Sequence, residues 1–292
     1  MALTLHSNMA YVGNTDDLPF IPHFNDLSVK PAFAFSLKRL FDYNGPCITV
    51  EHMTTLETKD IGFKGGVVDK VALLAFANGD SLRVTKLFNQ SGDASAYLGN
   101  IAASNQAKIV IQGELVTDSN GDPSIHFSYN LQCAYYMSAK LMSNLSNKAN
   151  LAIKAKVQIS GLFTTASVDL FRLTQNTNSK FYSAIPQNTL TLSTGWRNAS
   201  SDDLVTTVSD ALTASVATNV YSEIKAETKT TEQRIASTVK NGALVADYTP
   251  QSITQAILGF TGGNPGPNYY LISDFLIFDQ AIAANDKSLL MS

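Results

Sequence analysis

The run in this chain best suited to chemistry is Asp118-Ser119-Asn120-Gly121-Asp122. Oxygen side chains at alternating positions suit a hard cation such as Ca²⁺, so Asp118, Asn120 and Asp122 are the candidate ligands. A calcium-binding EF-hand loop needs glycine at its sixth position and glutamate at its twelfth, and here those places hold Pro123 and Tyr129. The run therefore reads first as a solvated hairpin turn. His6, His23, His52 and His126 are scattered, with no zinc pair at i, i+4, and no serine sits in a nucleophile elbow. No catalytic constellation and no cofactor motif stands out. Carbohydrate binding needs an exposed ring with amide or carboxylate groups beside it. Trp196-Arg197-Asn198, Tyr135-Tyr136 and Tyr269-Tyr270 are the candidates, and the single tryptophan, in a polar stretch, is the best of them. Packing in a core or an interface is the competing reading for each ring, and the favoured one.

The composition bounds what could hold these groups. The chain has 292 residues, 45% hydrophobic and only 15% charged, where about 25% charged is usual. Ser, Thr and Asn fill the gap, as on many β-rich extracellular or particle proteins. A net charge of −3 with no basic patch argues against nucleic-acid binding. Met1 to Ala10 lacks the basic start and apolar core of a signal peptide, and no apolar run approaches the roughly 20 residues that span a bilayer. The expectation is a protein made in a cytoplasm, without membrane insertion. Cys47 and Cys133 could form one long-range disulfide or remain two buried thiols; two cysteines make no framework, which favours the thiols.

The patterning is mainly β. Residues 1–30 carry Pro19 and Pro22 and no periodicity, and read either as an extended arm reaching a neighbour or as a strap across their own domain. One domain is expected over residues 31–292. Phe33, Leu37, Leu40 and Phe41 fall on one helical face, and Val68 to Phe76 has helical spacing too. Strands are expected at Ile48–Met53 and Leu82–Phe88, then over Ala107–Val116 as one near-continuous apolar strand, and from Ile125 to Leu131. Leu151, Ile153, Ala155, Val157 and Ile159 alternate with polar residues, predicting one buried and one wet face. Further strands are expected near Val168–Leu173, Lys180–Ile185, Thr189–Ser193, Ile253–Phe260 and Tyr269–Phe278. Residues 201–228 have a spacing of four that suits a helix, but their Thr, Val and Ser favour strands, which are expected. Asn241-Gly242 is the favoured type I′ turn pair, predicting a hairpin between Arg234–Val239 and Ala243–Val245. A short helix is expected within Ala281–Met291.

A family resemblance is carried by Phe35-Ser36-Leu37-Lys38-Arg39-Leu40, Asn44-Gly45-Pro46, Asp60-Ile61-Gly62-Phe63, Gly65-Gly66-Val67-Val68-Asp69 and Phe88-Asn89-Gln90-Ser91-Gly92-Asp93. Residues 33–94 resemble the start of the arabinofuranosidase B-type module, and the match resumes loosely near Lys240–Val245 and Ile272–Ala281. The resemblance implies an all-β protein with a few short helices, a laminin-G/concanavalin A-like antiparallel β-sandwich or jelly roll. Such modules occur in arabinan-degrading enzymes and in tailed-bacteriophage virion proteins. The family's glycosidases use a Glu nucleophile and an Asp acid, the acid in a Gly-rich loop before the last strands. The corresponding loop here, Gly259 to Asn268, has Asn264 and no carboxylate, and Glu114 is the only Glu between residues 58 and 222. Catalysis is therefore not expected. The resemblance implies a bacteriophage structural protein on the particle surface, a tail-fibre, receptor-binding or head-decoration component. Its partners would be other virion proteins and copies of itself as a homo-oligomer. A host glycan would be held near Trp196, Arg197, Asn198, Asn264 and Tyr269. The alternative is a glycan-degrading glycoside hydrolase, an arabinofuranosidase-like depolymerase.

Overall fold

The computed structural model describes residues 24–99, 106–128, 133–163, 167–174, 180–197, 203–208, 212–243, 252–261 and 268–292. In chain order the strands begin with β1 (Phe33–Ser36), β2 (Ile48–His52), β3 (Thr58–Ile61), β4 (Phe63–Lys64), β5 (Val67–Val68), β6 (Leu82–Phe88) and β7 (Tyr97–Gly99). Then come β8 (Lys108–Ile111), β9 (Glu114–Leu115), β10 (Ile125–Ser128), β11 (Tyr135–Met137), β12 (Asn150–Ile159), β13 (Val168–Thr174) and β14 (Lys180–Ile185). The last are β15 (Leu192–Arg197), β16 (Asp203–Val208), β17 (Thr218–Lys225), β18 (Thr230–Ile235), β19 (Thr238–Ala243), β20 (Gln255–Thr261) and β21 (Tyr269–Phe278). The helices are α1 (Lys70–Ala77), α2 (Ala139–Leu145) and α3 (Ala284–Met291).

The antiparallel pairings resolve into two layers. One runs β19-β18-β17-β12-β21. Beyond β21 it divides: β1 pairs with residues 274–277, β10 with residues 269–272, and β10 leads on to β8 and β9. The other runs β3-β2-β6-β7-β11-β20-β13-β14-β15-β16. Strand β8 also bonds to β6, joining the layers along one edge. Rings meet across the interior: Phe171 and Phe275 at 5.1 Å between centroids, and Phe127 and Tyr135 at 5.7 Å. This is the β-sandwich that the patterning predicts.

Several local expectations give way to tertiary structure. Phe33–Ser36 forms a strand rather than the start of a helix, because β21 offers a pairing edge and the buried Asn89 side chain accepts the Ala34 N–H at 2.8 Å. Gln90 does the same for the Leu40 N–H at 2.8 Å, so the Asn89-Gln90 turn fastens this segment. The apolar run 107–116 is a hairpin, turned at Gln112 and Gly113, both at positive φ. The turn of the β18–β19 hairpin lies at residues 236–237, with Ala236 at φ 49°, and Asn241-Gly242 sits inside β19. The β17 pairing explains this, since it fixes β18 with Thr231, Gln233 and Ile235 inward. Strand β15 starts at Leu192, later than the Thr189 expected. The segment 201–228 does contain strands, β16 and β17.

Strand β12 is covered on both faces along most of its length. Leu151 to Ile159 at odd positions face the interior, while Ala152 and Lys154 face a second cluster over the outside of the sheet. That cover comes from Phe24 and Leu27, ahead of β1, and from Ile282 and Leu290 after β21. Ser28 ties the two together, its Oγ donating to Asp286 at 2.6 Å. On the same face Glu223 and Glu232 stand directly opposite each other on β17 and β18. Lys287 of α3 reaches both, at 2.5 Å and 2.8 Å. Cys47 and Cys133 are separate buried thiols. Among the described residues no helix is long and apolar enough to cross a membrane.

Candidate functional site

The structure separates the sequence candidates by face. Trp196 is not in a polar loop: it lies in β15, 5% exposed, within the inter-sheet core, so its ring serves packing and cannot stack on a ligand. Arg197 closes the same strand, and Asn198 and Asn264 lie outside the described residues. Tyr269 is half-buried at the start of β21, its ring 4.5 Å from that of His126. Tyr270 is fully buried and stacks on Phe127 at 4.9 Å. In β11 the pleat sends the two neighbouring rings opposite ways. Tyr135 is buried, donating its hydroxyl to the Val84 carbonyl at 2.8 Å, whereas Tyr136 is 43% exposed on the outer face.

Around Tyr136 the register builds a groove. Tyr136 stands opposite Gly99, Gly99 opposite Lys86, Lys86 opposite Thr49 and Thr49 opposite Asp60, one row across five strands. Gly99 brings no side chain, so it forms a floor between Lys86 and Tyr136. A Cβ there would meet the Tyr97 ring at 3.2 Å. Tyr97, two residues earlier on the same face, stands opposite Phe88. Lys86 Nζ lies 4.1 Å from the Tyr97 ring centre and 4.4 Å from that of Phe88, well inside the ~6 Å range of cation–π attraction. Ser138 completes the wall. Its Oγ accepts the Tyr97 N–H at 3.1 Å and donates to the Ser95 carbonyl at 2.9 Å. The resulting concavity holds about 420 Å³, within the ~300–1,000 Å³ of small-ligand sites.

A β-bulge shapes this groove. Thr49 pairs with Lys86 but Val50 pairs with Val84, so Thr85 is the extra residue and it too lines the groove. Such insertions re-aim side chains, and the trace of this one is the pair Thr85-Lys86 standing together between the buried Val84 and Leu87. Taken singly, Lys86 still reads in the sequence as an ordinary solvent-facing strand residue. Tyr136 was visible only as half of a tyrosine pair.

A second concavity, of about 540 Å³, opens on the outer face of the β12–β21 layer, lined among others by Phe24, Lys38, Lys154, Lys156, Asp122 and Asp274. Its charged groups largely satisfy one another. Lys154 meets Asp274 at 3.0 Å, and Ser36 donates to the same carboxylate at 2.6 Å. Lys156 meets Asp118 at 2.8 Å and Asp122 at 2.6 Å, and Lys38 meets Asp122 at 2.8 Å. The candidate calcium loop is thus folded around ammonium groups, while Asp118 Oδ1 accepts the N–H groups of Asn120 and Asp122 at 2.8 Å and 3.1 Å. Among the described residues no three His, Cys, Asp or Glu side chains converge to hold a metal ion. Burial pushes the Asp274 carboxyl up, but Lys154 and Ser36 outweigh it and hold it below the usual range. Burial likewise raises Asp122, and Lys156 and Lys38 outweigh it there. Carboxylates held ionised in this way are poor proton donors.

Glu114 is exposed on the short β9. The Glu223–Glu232 pair is bridged by Lys287 and covered by α3.

No family model and no curated protein matches the chain. Solved structures do. A GH54 α-L-arabinofuranosidase superposes with a TM-score of 0.60 at 13% identity, over 89% of this chain and 61% of that one. The binding domain of Paraclostridial Mosquitocidal Protein 1 gives 0.54 at 12% identity, over 73% of this chain and 51% of that one. The binding domain of Botulinum neurotoxin serotype D gives 0.51 at 12% identity, over 73% and 50%. At such identities the likeness is one of fold. The chain spans less than two thirds of the length of each of these neighbours. What the fold and the groove define is an antiparallel β-sandwich of the architecture found in a glycoside hydrolase and in toxin binding domains.

Proposed function

We propose that this protein is a non-catalytic, carbohydrate-contacting β-sandwich, displayed on the surface of a bacteriophage particle as a homo-oligomer beside other virion proteins. The observation that carries the carbohydrate reading is the groove at Tyr136. An exposed aromatic face lies beside a side-chain-free floor at Gly99, flanked by the Lys86 ammonium as donor and by the hydroxyl oxygens of Thr49 and Ser138, whose own protons go to Asp60 and the Ser95 carbonyl. A sugar ring presents just such a combination of apolar C–H faces and hydroxyl edges, which a ring stacks on and polar groups orient. The fold-level likeness to a glycosidase and to toxin binding domains supports the reading. The particle setting rests on the resemblance of residues 33–94 to a module of tailed-phage virion proteins.

Absence of catalysis is part of the proposal. Glycoside hydrolysis needs two carboxyl groups about 5–9.5 Å apart, one of them able to give up a proton. The two carboxylate pairs described above, Asp118 with Asp122 and Glu223 with Glu232, are both bridged by a lysine. Neither pair lies at the groove. A glycan array screened with the full-length protein, followed by a reducing-sugar assay on the polysaccharides that bind, tests both halves. Binding without sugar release is expected. Sugar release that Glu114→Gln abolishes would establish the depolymerase reading that the arabinofuranosidase likeness keeps in play.

A further inference from the structure

Lys86 is the feature of the groove that carbohydrate stacking does not use. Its ammonium is held between the Tyr97 and Phe88 rings. Among the described residues it meets no carboxylate within ion-pair distance, while Lys38, Lys154, Lys156, Lys225 and Lys287 each have one. The nearest acidic member of its row, Asp60, is two strands away beyond Thr49, and accepts the Thr49 hydroxyl at 2.7 Å. Lys86 therefore keeps its hydrogen-bond donors available. Two rings limit its rotamers, so a ligand anion would not have to order a freely moving side chain. Such ordering is the main cost that cancels exposed ion pairs elsewhere.

Resting on the carbohydrate reading of this groove, we infer that the site selects an acidic sugar, one bearing a carboxylate or sulfate. The sugar ring lies over Gly99 against Tyr136 and its anionic group meets Lys86. The geometry needs only that the anion project from the edge of the ring that rests on Tyr136, since Lys86 and Tyr136 flank Gly99 on opposite sides. A neutral sugar would leave the ammonium to solvent and lose the selective contact.

The test is calorimetric titration of the full-length protein with three sets of oligosaccharides. These are galacturonate oligomers, their methyl esters, which keep the shape without the charge, and carrageenan-derived oligomers, sulfated and without carboxylate, as the sulfated arm. Wild type is compared with Lys86→Met, which keeps the packing between the rings, with Lys86→Arg, which restores a cation, and with Tyr136→Ala. A charge-assisted hydrogen bond predicts that Lys86→Met weakens acid binding about tenfold to a hundredfold. Lys86→Arg should recover most of that loss, and the methyl esters should respond to neither change. Which acidic arm binds tells carboxylate from sulfate. If esters and acids bind alike and Lys86→Met leaves both unchanged while Tyr136→Ala weakens both, the acidic selectivity is overturned and the groove stands as a neutral-sugar site. If no oligomer of any set binds, or Tyr136→Ala leaves binding intact, the groove reading itself fails and this inference with it. Melting curves of each variant separate loss of binding from loss of fold.

Discussion

The lysine on α3 offers a severe test of how the outer sheet is covered. Glu223 is fully buried and Glu232 stands directly across from it, an arrangement two strands would not tolerate without a cation between them. Lys287 supplies it, 4% exposed, with its Nζ within 2.8 Å of both carboxylates. Lys287→Met keeps the apolar stem and removes the charge. Breaking a buried pair typically costs about 3–5 kcal/mol, because the remaining charge is left without its partner. Here the lower end applies. Glu232 keeps Arg234 at 2.5 Å, and Glu223 keeps the Ile282 N–H at 3.3 Å and the half-exposed Lys225 at 3.4 Å. A loss of about 3 kcal/mol should lower the melting temperature by roughly 6–12 °C in a chain of this size. Chemical denaturation at neutral pH measures it. Adding Glu223→Gln to the variant should return part of the stability, since the stranded charge is then gone. A Lys287→Met protein within about 1 kcal/mol of wild type, or a double variant less stable than the single, would refute the reasoning.

Other consequences follow from the same geometry. Trp196→Ala should cost about 3–5 kcal/mol, as for a large core residue, and leave any glycan isotherm unchanged; a binding loss with normal melting would put the ring at a ligand after all. Gly259 has φ +70°, and a Cβ there would come within 2.5 Å of the Tyr270 hydroxyl and 2.6 Å of Phe127. Gly259→Ala should therefore destabilise by about 2–5 kcal/mol, strain and overpacking together, and a neutral result would mean the ring pair yields. The Asp274 carboxyl is held below its usual range, so its stabilising contribution is complete above the ordinary carboxylate value and is lost as pH falls through the lowered one. Stability measured below about pH 4 should fall steeply in wild type and more gently in Asp274→Asn, and parallel curves would contradict the linkage.

Much of the fold is legible in the sequence because hydrophobic patterning writes it directly. β12 carries apolar residues at period two along one face, and β21 is a ten-residue, near-continuous apolar run of the kind a strand buried on both faces shows. The failures share one cause, which is that partners distant in sequence decide. Nothing local to residues 33–40 reveals that Asn89 and Gln90, fifty or more residues away, will accept the N–H groups of Ala34 and Leu40. Asn241-Gly242 is a good turn pair by itself, but the pairing of β17 with β18 puts the reversal at Ala236 instead. Lys154 looks like a wet-face residue until Phe24, Leu27 and the residues of α3 are laid over its face of the sheet. The site follows the same rule. Trp196 was the most conspicuous residue and is core, while Tyr136, Gly99 and Lys86 gain meaning only when strands β6, β7 and β11 bring them into one row.

The most direct measurement is a pair of binding isotherms, wild type and Tyr136→Ala, against the strongest oligosaccharide found on the array. With the ring as the stacking face of the groove, Tyr136→Ala should weaken binding about tenfold or more while its melting temperature stays near that of wild type, since the ring is 43% exposed. Superimposable isotherms would place the sugar elsewhere on the sandwich and contradict the account.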